Sequence, residues 1–157
     1  LHEHGAKLYV ADIYPEGVEK AVSELGATAV APEEILSLDV DVLAPCALGA
    51  AINDQTLPLI KAKVIAGAAN NQLAREDMGE LLQQRGILYA PDYVINAGGV
   101  IDIFHQRMET SSNEALRAHI EQIGDTLKEI YTRAEQEGAA TNRVANLIAE
   151  ERFNLKG

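Results

Sequence analysis

The sequence predicts an α/β fold: a mostly parallel sheet covered by helices, closed by an all-helical C-terminal stretch. Three observations carry this. Short apolar runs of strand length alternate with helical stripes through the first part of the chain. Those runs are continuously apolar, as strands buried on both faces are. After Gly99 only helical periodicity remains. The chain of 157 residues therefore divides into an α/β sheet region over 1–110 and C-terminal helices over 111–157. Together they make one domain, long enough to bury a sizeable core.

Leu1 to His4 reads as the last turn of a helix stopped at Gly5, and the chain opens without a methionine. A helix end feeding straight into a buried strand leads us to expect a preceding segment. Lys7–Asp12 is the first strand, and Tyr14-Pro15-Glu16-Gly17 is turn chemistry. Val18, Ala21, Val22 and Leu25 form a helical stripe ending at Gly26. Ala27–Val30 is a second strand, and Pro32–Leu36 a short helix that tolerates proline at its start. Asp39–Pro45 is the third strand, Asn53–Ile60 a short helix and Ala62–Gly67 the fourth strand. Glu76–Arg85 is a helix stopped by Gly86, and Ile87–Ala90 is the fifth strand. Leu116, Ile120, Ile123, Leu127, Ile130 and Ala134 recur at steps of three and four up to Gly138. Ser111 and Ser112 are cap or loop residues, and Thr141 caps a last helix bearing Val144, Leu147 and Ile148.

Composition bounds the function. Thirteen Lys and Arg against 24 Asp and Glu give a net charge of −11, which disfavours a nucleic-acid groove or an anionic membrane surface. No apolar run approaches the ~20 residues that span a bilayer, and no signal-peptide pattern is present. The single cysteine, Cys46, excludes an intramolecular disulfide and suits a reducing cytoplasm.

The chain is organised around Ala90–Val100, APDYVINAGGV, where a strand runs into a turn carrying Asp92, Tyr93 and Asn96, then Gly98-Gly99 and a helix. Open α/β sheets place ligands at such turns, and paired glycines allow a close backbone approach or a positive φ. A plain strand-to-helix turn would carry the same glycines. Two more small-residue loops follow strands, PCALGA at 45–50 and GAANNQ at 67–72. All three belong on the carboxyl edge of the sheet, where Asn70, Asn71 and Asn96 offer amide donors and acceptors without charge. Asp12 ends the first strand, where an acid accepts hydrogen bonds from the ribose of a dinucleotide; a solvated acid gives the same pattern. No Arg or Lys follows it in Ile13-Tyr14-Pro15, which favours NAD over NADP. The G-x-G-x-x-G fingerprint is absent from the chain; its expected place precedes Leu1. No neighbouring histidine activates Cys46. His2, His4, His105 and His119 lack zinc-site spacing and read as surface or packed residues. No general acid or base stands out.

The strings GAKLYVADI, DVLAPCALGAAIND, KAKVIAGAANNQL and YAPDYVINAGGVI, with AEERF near the end, resemble the cofactor domain of the amino-acid dehydrogenases, its leucine-acting branch most of all. The resemblance implies a Rossmann-type doubly wound domain, here lacking its first strand and glycine-rich turn. It implies NAD as cofactor and oxidative deamination of a branched-chain L-amino acid to its 2-oxo acid and ammonia. Asp12 and Ile13 would then meet the adenosine ribose, and Cys46, Ala47 and Leu48 would line the dinucleotide. Ala69, Asn70 and Asn71 would lie at the nicotinamide end, with Asn70 also near the substrate. Val100 and Ile103 would wall the apolar side-chain pocket, where an unpaired carboxylate is costly. The family's catalytic lysines lie in a separate domain, so this chain would hold the cofactor half of a cleft and no catalytic residue or metal. The full-length protein is expected to be a homo-oligomer. A phenylalanine- or valine-preferring relative is the alternative within the family, and a non-catalytic α/β binding module the alternative outside it.

Overall fold

The computed structural model describes residues 1–108 and 112–154. The expected break between sheet region and C-terminal helices falls at 109–111, outside the described residues, as does Ser111. Five short strands run in chain order: β1 (Tyr9–Val10), β2 (Thr28–Ala29), β3 (Val42–Leu43), β4 (Val64–Ile65) and β5 (Leu88–Tyr89). Six helices accompany them: α1 (Pro15–Leu25), α2 (Met78–Gln84), α3 (Asp92–Ile95), α4 (Gly98–Gln106), α5 (Asn113–Glu137) and α6 (Thr141–Asn154). Every pairing between strands is parallel, giving a mixed α/β architecture.

The strands form two sheets, not the single sheet expected. β1 pairs with β2, and β3-β4-β5 form the other. The two halves differ in burial. Ile65 and Leu82 are fully buried, and with Leu43, Ile52, Met78 and Tyr89 they build a core beneath the second sheet. The first sheet has no such cover: Tyr9 is 44% exposed, and Val22 and Leu25 of α1 also reach solvent. The expectation that β1 and β2 are buried on both faces is thus overturned. Among the described residues β1 has a strand partner on one side only, and the α1 stripe covers one face incompletely.

The C-terminal helices behave as their periodicity predicts over half their length. Ile130 and Ala134 of α5 pack on Val144, Ala145 and Ile148 of α6, whereas Ile120 remains exposed. α5 runs along α3, α4 and α6, and α6 leans on α2 and β5. Ser112 caps α5, its side chain accepting from Ala115 N at 3.2 Å, and Gly138 ends that helix in a left-handed conformation. The helix expected over Asn53–Ile60 shrinks to one tight turn at Leu57–Leu59. The Asn53 side chain accepts from the backbone of Gln55 and Thr56, and Pro58 removes a donor from the next turn. Among the described residues, no helix is long and apolar enough to cross a membrane.

Candidate functional site

The loops after β3 and β4 are zipped together by their backbones. Ala69 N donates to Pro45 O at 2.9 Å and Ala50 N to Asn71 O at 2.7 Å. Ile52 N donates to Gln72 O and Ala74 N returns to Ile52 O, both at 2.9 Å. A side chain at Gly67 would collide with the Pro45 backbone, so only glycine lets these strand ends come so close. The strained residues are Ala50 (φ 57°) and Asn71 (φ 54°), a left-handed conformation that non-glycine residues rarely hold. Of the two readings the sequence leaves open for Gly98-Gly99, the structure therefore shows the plain strand-to-helix turn. Those glycines open α4 with ordinary helical backbone, and neither shows a close neighbour.

Two side chains from α3 and its C-terminal end anchor the 67–72 loop. The buried Asp92 carboxylate accepts the Gln72 N–H at 2.5 Å, and Asn96 Nδ2 donates to Asn70 Oδ1 at 2.5 Å. Gln72 is fully buried, and its Nε2 donates to Gly67 O at 2.7 Å and Ala69 O at 3.0 Å. Among the described residues its Oε1 has no hydrogen-bond partner. The Tyr89 hydroxyl accepts from Asp92 N at 3.2 Å, and burial pushes that phenol well above its ordinary pKa. Sequence reasoning named Asp92 without a role and passed over Gln72. An acid directly after a buried strand was the available signal.

The α3 end is tied in turn to α6. The Tyr93 hydroxyl donates to Asn146 Oδ1 at 2.7 Å, with Asn142 O at 3.0 Å. Burial of the hydroxyl, then the negative charges of Asp92 and Glu76, push Tyr93 up to about 12. Thr141 does not act as a cap. It is the first residue of α6, and its hydroxyl donates to Tyr89 O at 2.7 Å, joining α6 to β5.

Of the residues expected at a cofactor site, the fold gathers Cys46, Ala47, Leu48, Ala69, Asn70 and Asn71 on the two zipped loops, with Asn96 beside them. Leu48 is 82% exposed, Asn70 and Asn71 are exposed, and Ala69 is buried. The Cys46 thiol accepts from Ala68 N at 3.5 Å, a contact that ties the loops again. Asp12 and Ile13 sit apart, on the turn after β1 in the other sheet, and one Asp12 oxygen accepts Tyr14 N at 2.9 Å. Val100 and Ile103 lie one turn apart on α4, 65% and 53% exposed. The arrangement offers amides and backbone groups, without a charged side chain among the loop residues named. It suits a neutral polar group held next to an apolar surface.

The chain matches the family model described as Glutamate/Leucine/Phenylalanine/Valine dehydrogenase over residues 7–153. It is 49% identical over 153 residues to a leucine dehydrogenase of Bacillus cereus, covering 98% of this chain and 42% of that protein. To an L-tryptophan dehydrogenase of Nostoc punctiforme it is 46% identical over 155 residues, covering 98% and 44%. The crystal structure of that L-tryptophan dehydrogenase superposes with a TM-score of 0.94 over 98% of this chain and 47% of the other. A phenylalanine dehydrogenase of Bacillus thermotolerans is 41% identical over 162 residues, covering the whole of this chain and 42% of its own. The chain thus spans less than half the length of these relatives.

Proposed function

The chain belongs to the glutamate/leucine/phenylalanine/valine dehydrogenase family, and we propose that it is the cofactor-binding part of an NAD-dependent oxidoreductase acting on branched-chain L-amino acids. The products are the 2-oxo acid and ammonia. The observation that carries this reading is the pair of loops after β3 and β4, zipped together and braced by Asn96 on Asn70. On this reading the whole chain is one NAD-binding domain, with a sheet region over 1–110 and helices beyond. Its two parallel sheets are the halves of a Rossmann-type doubly wound sheet. Placing β2-β1 and β3-β4-β5 on either side of one further strand reproduces the 3-2-1-4-5-6 order. The exposed Tyr9 and Val42 would flank that strand.

The residues fit a dinucleotide. Asp12 retains a carboxylate oxygen beyond its bond to Tyr14 N and would take the adenosine ribose, with Ile13 against the adenine side. Cys46, Ala47 and Leu48 line the dinucleotide, and Ala69, Asn70 and Asn71 receive the nicotinamide end. Bound NAD supplies the hydride acceptor. Asn70 orients cofactor and substrate. Val100 and Ile103 wall the pocket that excludes water and rejects a charged side chain, because burying an unpaired carboxylate there is costly. Proton transfer falls to the remainder of the full-length protein, which we expect to be a cytoplasmic homo-oligomer.

A second reading changes the preferred amino acid. Relatives named for phenylalanine and tryptophan are nearly as similar as those named for leucine. The test is NAD reduction by the full-length protein with leucine, valine, isoleucine, phenylalanine, tryptophan and glutamate. Turnover led by branched-chain substrates is expected. Turnover led by aromatic substrates keeps the family and overturns the substrate, and no turnover with any of them leaves a non-catalytic binding module.

A further inference from the structure

We propose that His105 and His119 form a binding site for a divalent d-block metal ion, with Zn²⁺ as the probe, that clips α4 to α5. His105 lies in the last turn of α4 and His119 in the second turn of α5. Fourteen residues separate them, so the sequence spacing hides the pair. Folding brings Nε2 of His105 to 3.1 Å from Nδ1 of His119. Both rings are half-buried, with centroids 5.3 Å apart and planes inclined by 65°. Phe104 meets both edge-on, at 5.6 Å and 6.2 Å, and so helps to fix their planes.

A neutral imidazole has one N–H and one lone pair, so two facing nitrogens at this distance share a single hydrogen. The tautomers with hydrogen on Nδ1 of His105 and Nε2 of His119 leave one lone pair on each of the two near nitrogens, and a tilt of the rings by about 40° from the N···N line aims both at one ion beside it. The 3.1 Å separation of these nitrogens is close to the edge of about 3.3 Å that tetrahedral zinc makes between nitrogens bound at ~2.0–2.1 Å. Imidazole nitrogen suits zinc, copper and nickel and does not favour magnesium or calcium. The packing of α4 on α5 has already met the ordering cost of bringing the two rings together. Among the described residues no group of three His, Cys, Asp or Glu side chains is placed to hold a metal. Two histidine ligands make an open site, unlike the closed four-ligand sites that hold structural zinc, and its ion exchanges with the free pool. Resting on the function proposed above, the clip would also stiffen the helix that carries Val100 and Ile103.

Zinc chloride titrated into the full-length protein, followed by calorimetry, tests the site without reference to activity. One zinc ion per chain at micromolar metal is expected, lost in His105→Gln and in His119→Gln and retained in a His2→Gln/His4→Gln double variant and in Cys46→Ala. An unchanged stoichiometry in both single variants, or no binding at micromolar zinc, overturns the proposal. Should either variant fail to fold, copper-loaded unmodified protein decides the matter by electron paramagnetic resonance. Hyperfine coupling to two imidazole nitrogens supports the clip, and coupling to fewer overturns it.

Discussion

Asn96 and Asn70, twenty-six residues apart, share a side-chain hydrogen bond in which Asn96 Nδ2 donates to Asn70 Oδ1 at 2.5 Å. The bond sets the polarity of Asn70. With its oxygen engaged, the exposed Asn70 keeps its Nδ2 donor for the nicotinamide or substrate proposed above. Replacing Asn96 by Asp sets an acceptor against an acceptor and drives the Asn70 amide to flip. The flip costs Asn70 its hydrogen bond to the ligand, worth about 1–3 kcal/mol, so kcat/KM of the full-length enzyme should fall about fivefold or more, with melting temperature little changed. An Asn96→Asp enzyme with unaltered kcat/KM would show that the orientation of Asn70 is immaterial to the reaction.

Asp92 holds the same loop from beneath. Its carboxylate takes the Gln72 N–H at 2.5 Å in a site with 7% exposure, and truncation strands that donor away from water. Asp92→Ala should destabilise the protein by about 1–3 kcal/mol, the desolvation cost of an orphaned donor. Asp92→Asn keeps an acceptor in place and should recover most of the loss. Urea midpoints of the two variants check this. Equal midpoints would mean that the bond contributes nothing that Asn can replace.

Tyr93 carries a titration on the alkaline side. Burial of its hydroxyl, with the charges of Asp92 and Glu76, raises it from the ordinary phenol value of 10.0 to about 12. The folded protein keeps this proton to a higher pH than the unfolded chain does. The associated stability is therefore whole below pH 10 and is lost as pH rises through about 12. In Tyr93→Phe the fall in urea midpoint across that window should become shallower. A slope equal to that of the unmodified protein would remove Tyr93 from the alkaline transition.

The contrast between the loops and their anchors explains what a sequence can disclose. Parallel strands were legible at β3, β4 and β5 as apolar runs, although only one residue of each, Leu43, Ile65 and Tyr89, is buried, and the loops after β3 and β4 were legible as small-residue strings. The Ser112 cap and the Gly138 stop are local signals, and both formed as read. Contacts set by packing between distant segments left no such trace. Asp92 meets Gln72 across twenty residues, and His105 meets His119 across fourteen. The left-handed backbone fell at Ala50 and Asn71 because the zipped loops demand it there, although Gly98-Gly99 are the residues that tolerate it best. Exposure of β1 and α1 was hidden for a related reason. An apolar run records that a strand is suited to burial, and it does not record which neighbour covers it.

Val100 and Ile103 give the sharpest test of substrate choice. They stand one helical turn apart on α4 and present branched apolar side chains that the described residues leave 65% and 53% exposed. A wall made of two such residues leaves limited room for the substrate side chain. Shortening Ile103 to Ala removes three carbons from that wall and opens space that a leucine side chain leaves empty and an aromatic ring fills. Each methylene in an apolar pocket is worth about 1–3 kcal/mol of discrimination. The ratio of kcat/KM for leucine over phenylalanine in the full-length Ile103→Ala enzyme should therefore fall at least about tenfold. Val100→Ala should move the ratio in the same direction by less, because it removes two carbons. A loss of activity that is equal for both substrates would take these residues out of the pocket and assign them to an interface with another part of the protein.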